Sequence, residues 1–185
     1  MQYPLELMAH GTPAWLVAKG FGHDARFWDR QVERLGRNSL VGTTVRNANQ
    51  LPEHLVADEH RADWCGEKGY LFMTAGGGCI LGIAMTQAAD EGHRCRRTSN
   101  LVDRLMNRLY RVLYAHRGLH GHQHFSELRQ RGWALLLNFI PFAPRAKRPR
   151  SDDSPAHRLN QKRYHDDWLQ NLLLSASLGG FHHRT

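Results

Sequence analysis

Two β-rich runs, "YLFMT" (70–74) and "CILGIAM" (79–85), are separated by Gly76-Gly77-Gly78. So short a glycine connection closes antiparallel neighbours, because glycine reaches the positive φ angles that a tight hairpin demands. A third run, 55–59 in "HLVADEH", precedes them and ends on Asp58-Glu59. The expectation is a three-stranded antiparallel meander with Asp58 at the exit of its first strand. Taken alone, an aspartate in that position reads as a turn residue.

Helical patterns flank the strands. In "GTPAWLVAKGFGHDARFWDRQVERLG", Thr12 is placed to cap a helix with Pro13 at its first position. Gly22 then turns the chain, and Asp24 caps a second helix over 25–35. Two short helices around a glycine turn have the form of a helix-turn-helix, whose second helix enters the DNA major groove. Arg26, Arg30 and Arg34 recur every four residues on that second helix and share one face. The same pattern also suits an ordinary helical hairpin with a solvated basic face.

Beyond the strands, "RCRRTSNLVDRLMNRLYRVLYAHRG" predicts a helix capped by Thr98 or Ser99, with an apolar stripe at Leu101, Leu105, Leu109 and Val112. Asp103 lies across this helix from Leu101 and Leu105, among Arg94, Arg96, Arg97, Arg104, Arg108 and Arg111. An acid among arginines reads first as an ion-paired surface residue. A further helix over 126–139 stops before Pro141, and 141–160 reads as a basic, Pro-rich linker. A C-terminal helix within 161–185 carries Asp166 and Asp167 in its first turn, where they suit the helix dipole.

The formal charge of +8 over 185 residues favours a polyanionic partner, nucleic acid before an anionic membrane surface. No apolar run approaches the roughly 20 residues of a membrane-spanning helix. Glu6 and the lack of a basic leading segment do not resemble a signal peptide. Three cysteines, Cys65, Cys79 and Cys95, do not make a disulfide framework and suggest a reducing compartment. The histidines His116, His120, His122 and His124 have no CxxC companion to complete a zinc site and read as a polar loop between helices. The glycines at 76–78 lack the Gly-Lys-Ser/Thr of a phosphate loop, and no nucleophile elbow occurs. What remains is carboxylate chemistry. Phosphoryl transfer on DNA with divalent ions requires acids from different parts of the chain to converge.

In combination, "LPEHLVADEH", "CGEKGYLFMTAGGGCILG", "RTSNLVDRLMNRLYRVLYA", "RGWALLLNFIPFAPR" and "YHDDWLQNLLLSASLGG" resemble successive blocks of a bacterial insertion-sequence transposase family. That family has an acidic-triad, ribonuclease H-like catalytic core, and the resemblance covers residues 41–180. It implies that Asp58 is the first catalytic acid, on the first of three antiparallel strands, and that Asp103 is the last, on a late helix. It implies Mg2+ or Mn2+ held by Asp58 and Asp103, and double-stranded DNA at the element ends as partner. Arg26, Arg30, Arg34, Arg96, Arg97, Arg104 and Arg108 would contact that DNA. It implies a cytoplasmic, nucleoid-associated bacterial protein with no membrane attachment, and it leaves self-association open.

One departure stands against the agreements. Between Met85 and Thr98 only "TQAADEGHRCRR" remains, where the family places a helix and a fourth strand bearing the second acid. Such a segment needs tens of residues. Asp90 and Glu91 lie in this gap, with nothing to set them on a strand beside Asp58. The chain therefore reads as an internally deleted copy that binds DNA without strand transfer. The alternatives are a DNA-binding module in its own right and a small basic structural protein. The expected architecture is α+β: a helix-turn-helix-like segment (1–46), a residual three-stranded core (47–140), a linker (141–160) and a C-terminal helix (161–185).

Overall fold

Helix α6 (Gln123–Phe139) is the element around which the others are arranged, and its sequence dictates that role. Trp133, Ala134, Leu135, Leu136, Leu137 and Phe139 follow one another so closely that apolar side chains leave α6 on every side, and all are buried. A helix apolar all round must be enclosed. The computed structural model, which describes residues 1–65, 67–86, 100–115, 119, 121–143 and 153–179, encloses it between a sheet and a layer of helices. The fold is α+β.

The sheet is the antiparallel meander β1 (Val56–Trp64), β2 (Glu67–Gly76) and β3 (Cys79–Thr86), in the order β1-β2-β3. Gly77 and Gly78 turn the second hairpin at φ +58° and +82°, the conformation for which glycine is suited. Asp58 pairs with Met73 and Met73 with Ile83; His60 pairs with Leu71 and Leu71 with Met85. Residues directly opposite in such a ladder share a face, so Asp58 and His60 lie on the face of the buried Leu71, Met73, Ile83 and Met85.

Strand β1 corrects the expectation that a strand ends at Asp58-Glu59: it runs on to Trp64, and Asp58 is an interior residue. The charged letters that suggested an exit, Glu59, Arg61 and Asp63, occupy the exposed face. Charge there stays hydrated, so alternation continues through it.

Helices α1 (Gln2–Ala9), α2 (Ala14–Phe21), α3 (Ala25–Gly36) and α4 (Leu40–Thr44) precede the sheet, and their buried side chains join the same apolar cluster as those of β2, β3 and α6. Asp24 caps α3 as expected, its Oδ1 accepting from the Phe27 amide at 2.6 Å. Thr12 does not cap α2. Pro13 takes the cap position with an extended backbone and no side-chain bond, because a proline in that place already fixes the entry angle.

Two further expectations change. Part of the 141–160 linker is helix α7 (Pro155–Asn160), capped by Ser154, whose Oγ accepts from the His157 amide at 3.2 Å. The Ser-Pro pair is a cap followed by an N1 proline, and the charges around it obscured that signal. Asn160 then ties α7 down, its Nδ2 donating to the Thr44 carbonyl and its Oδ1 accepting from the Arg46 amide at 2.9 Å. The last helix, α8 (Trp168–Gly179), starts after the two aspartates rather than on them. Asp167 caps it, accepting from the Gln170 amide at 2.8 Å.

α3 and α6 meet without side chains between them. A Cβ on Gly36 would overlap the Leu128 carbonyl, and a Cβ on Gly132 the Val32 carbonyl. Asn138 joins α6 to β3 and α4. Its Oδ1 accepts from the Ile80 amide at 2.9 Å, and its Nδ2 donates to the Ile80 carbonyl at 2.8 Å and to Thr44 Oγ1 at 3.0 Å.

Gly132→Ala is expected to destabilise the protein by about 2 kcal/mol or more, since backbone rather than a flexible side chain must give way. Gly20→Ala, on α2 with open space where the Cβ would sit, should stabilise by roughly 0.4–1 kcal/mol through the unfolded chain. Denaturant melts of the two variants beside the parent check both signs.

Candidate catalytic seam and nucleic-acid interface

Helix α5 (Asn100–Ala115) buries Val102, Leu105, Met106, Leu109, Val112 and Leu113, an amphipathic stripe of the expected spacing. It lies along β1, where the His60 and Tyr110 rings meet with centroids 3.9 Å apart. Further along both segments, Trp64 forms a parallel bridge with Leu119, and Trp64 Nε1 donates to the Gly121 carbonyl at 2.9 Å. The Trp64–Leu119 bridge lies in sequence beyond Ala115, the last residue of α5. Asp58 precedes His60 by two strand residues, about 7 Å. Asp103 precedes Tyr110 by seven helical residues, about 10 Å. Asp58 thus lies near the ring contact that joins β1 to α5, and Asp103 lies in the first turn of that helix.

Their surroundings differ. Asp58 is half-buried, and its Oδ1 accepts from the Glu59 amide at 2.9 Å. Asp103 is exposed in the first turn of α5. Among the described residues no three His, Cys, Asp or Glu side chains are grouped to hold a metal ion. Two carboxylates with waters completing the shell suit at most one hard divalent ion. A two-ion centre needs further acids. Asp90 and Glu91, the acids of the shortened segment, lie outside the described residues.

His60 was not anticipated as part of this seam. Alternation in "VADEHRADW" places it on the face of Asp58, but the unexpected length of the strand hid the pairing. Burial lowers its pKa from the ordinary imidazole value, and the nearby Asp58 carboxylate works in the opposite direction without cancelling the effect. Among the cysteines, Cys79 is buried and its thiol is pushed up to about 12 by desolvation, so it is protonated and inert at neutral pH.

The expected arginines separate into two groups. Arg26, Arg30 and Arg34 are exposed on one face of α3, opposite the buried Trp28, Val32 and Leu35. Arg30 and Arg34 line a surface groove of about 230 Å³ with His23, Asp24, Phe27 and Gln31. Among the described residues none of these three arginines is ion-paired, and Arg30 Nε donates to the Arg26 carbonyl at 3.3 Å. On α5, Arg104 is exposed. Arg108 is half-buried, and burial first and the Arg111 charge second lower its proton affinity. Two like charges that crowd one another favour an anion nearby. Arg94, Arg96 and Arg97, with the expected caps Thr98 and Ser99, lie outside the described residues.

Searches against protein-family models, curated proteins and solved structures find no match to this chain. No helix among the described residues is long and apolar enough to cross a membrane.

The depressed His60 pKa has a pH consequence. Between its folded value and the ordinary imidazole value of 6.5 the unfolded chain binds more protons at this site than the folded one. Stability contributed by neutral His60 is thus complete above pH 6.5 and is lost as pH falls through the folded pKa. His60→Phe should flatten the stability profile in that window, and Asp58→Asn should lower the His60 pKa further. Imidazole proton titration by NMR and melts across pH check the two effects.

Proposed function

We propose that this chain is a transposase-derived DNA-binding protein of a mobile element, defective in strand transfer. The observation that carries the reading is the contact of β1 with α5: the first expected acid lies on the face of a three-stranded meander that meets α5 through the His60–Tyr110 rings, and the last expected acid lies in the first turn of that helix. In this reading the exposed arginines of α3 hold duplex DNA, and α2–α3 act as the helix-turn-helix. Arg104 and Arg108 add phosphate contacts from α5. Copies of the chain assemble on element ends in the cytoplasm.

Loss of strand transfer follows from the acids. Asp58 and Asp103 suit one Mg2+ or Mn2+ with water ligands, and that ion would polarise a phosphate oxygen. The attacking and leaving oxygens of an in-line displacement both need stabilisation, and residues 87–99 are too short for a strand-and-helix unit to supply the further acid. β1 is also an edge strand, with the Trp64–Leu119 bridge as the pairing recorded beyond it among the described residues.

Duplex affinity should fall tenfold or more between roughly 50 and 200 mM salt, as release of counterions from phosphates requires. Affinity that is flat across salt contradicts the reading and favours a basic structural protein. Arg26→Ala with Arg30→Ala should weaken binding and any sequence preference more than Arg148→Ala with Arg150→Ala, measured by gel shift. No strand cleavage is expected with Mg2+ or Mn2+ on DNA carrying element ends. Cleavage abolished by Asp58→Ala or Asp103→Ala would restore the enzyme and make Asp90 or Glu91 the first candidates for the missing ligand.

A further inference from the structure

Helices α4 and α8 cross through Gly42 and Gly179, packed so closely that a Cβ on either would overlap the other's carbonyl oxygen. Beside this crossing is a cavity of about 60 Å³ whose lining includes Thr43, Arg46, Lys162, Asn171 and Ser175. At about 15 Å³ per water, that space corresponds to roughly four waters, enough for a single tetrahedral oxyanion.

The chemistry of the lining is one-sided. Arg46 and Lys162 bring positive charge, and no aspartate or glutamate lines the cavity among the described residues. Thr43, Asn171 and Ser175 are buried at 3%, 7% and 8% exposure. The Thr43 hydroxyl has no hydrogen-bond partner in the protein, a costly state for a buried polar atom unless something else satisfies it. Asn171 Oδ1 accepts from the Tyr164 amide at 2.8 Å, which leaves the amide nitrogen as its donor end. Arg46 is held from two directions: its guanidinium lies 4.5 Å from the Tyr164 ring centroid, and its amide donates to Asn160 Oδ1 at 2.9 Å. Two cations and three buried donor-capable side chains, with no carboxylate between them, match a multiply charged oxygen acceptor.

We propose that the pocket between α4 and α8 binds a phosphate group, either free or small-molecule phosphate or a phosphate of the DNA backbone. The proposal rests on the pocket and is independent of the transposase reading. It is tested on the full chain by calorimetric titration with inorganic phosphate at constant ionic strength, with chloride as the reference anion. One saturable site is expected. Thr43→Val keeps the shape and removes a hydroxyl without a partner, so it should not lower, and should if anything raise, the melting temperature in chloride, while weakening phosphate binding about tenfold, as loss of a hydrogen bond to a charged group does. Lys162→Gln, at an exposed position, should weaken it about threefold without affecting folding. Competition separates the sources: duplex DNA that displaces phosphate identifies the backbone, and duplex that leaves it bound identifies a small phosphate. Absence of a saturable site, or unchanged binding in both variants, overturns the proposal.

Discussion

Helices α3 and α6 touch backbone to backbone at Gly36 and Gly132, and the rest of the architecture depends on that approach. With any side chain at these positions the helices would stand apart, and Trp28, Val32 and Leu35 would lose their packing against the centre of the protein. The contact makes α3 part of the core. Its buried face is fixed to α6, so the opposite face, with Arg26, Arg30 and Arg34, has a set orientation in solvent. At the other end of α6, Asn138 completes the connection by hydrogen-bonding Ile80 on β3 and Thr44 on α4. Each bond contributes about 1 kcal/mol, and removing the amide would leave buried backbone groups unpaired at about 1–3 kcal/mol each. The arginine face and the acid-bearing sheet are thus two surfaces built on one shared core.

Much of this fold was legible in the sequence for local reasons. The glycine turn at 76–78, the Asp24 cap and the apolar stripe of α5 are short-range signals, and each appears in the structure where it was expected. The errors have a common cause: the sequence does not say which side of an element meets water. β1 reads as ending at Glu59 until α5 is known to pack on one of its faces and solvent on the other. α7 reads as linker until Asn160 is seen bonded to Thr44 and Arg46, residues more than a hundred positions away. The seam was legible only in part. Asp58 and Asp103 were identified through the resemblance, whereas His60 and Tyr110, whose contact aligns β1 with α5, emerge from the packing. The α4–α8 pocket had no sequence signal, because its lining comes from two stretches that pair only in three dimensions.

In the proposed reading the two sides of the molecule have different tasks. The α3 arginines are exposed, unpaired among the described residues and fixed in place, the arrangement expected of a surface that meets a polyanion. The β1–α5 seam has an acid on its strand and an acid on its helix but, among the described residues, no group of acids that would complete a two-ion centre. In the proposed reading, a binding face kept beside an incomplete set of metal ligands would give affinity without turnover.

The most direct measurement of the central claim is amide hydrogen exchange, with and without duplex DNA. In free protein, α3 and α6 should open as one cooperative unit at the free energy of global unfolding. Duplex should add protection over residues 25–36 and leave β1 amides unchanged. Exchange of α3 well before α6, or protection by DNA on β1 rather than on α3, would contradict the account.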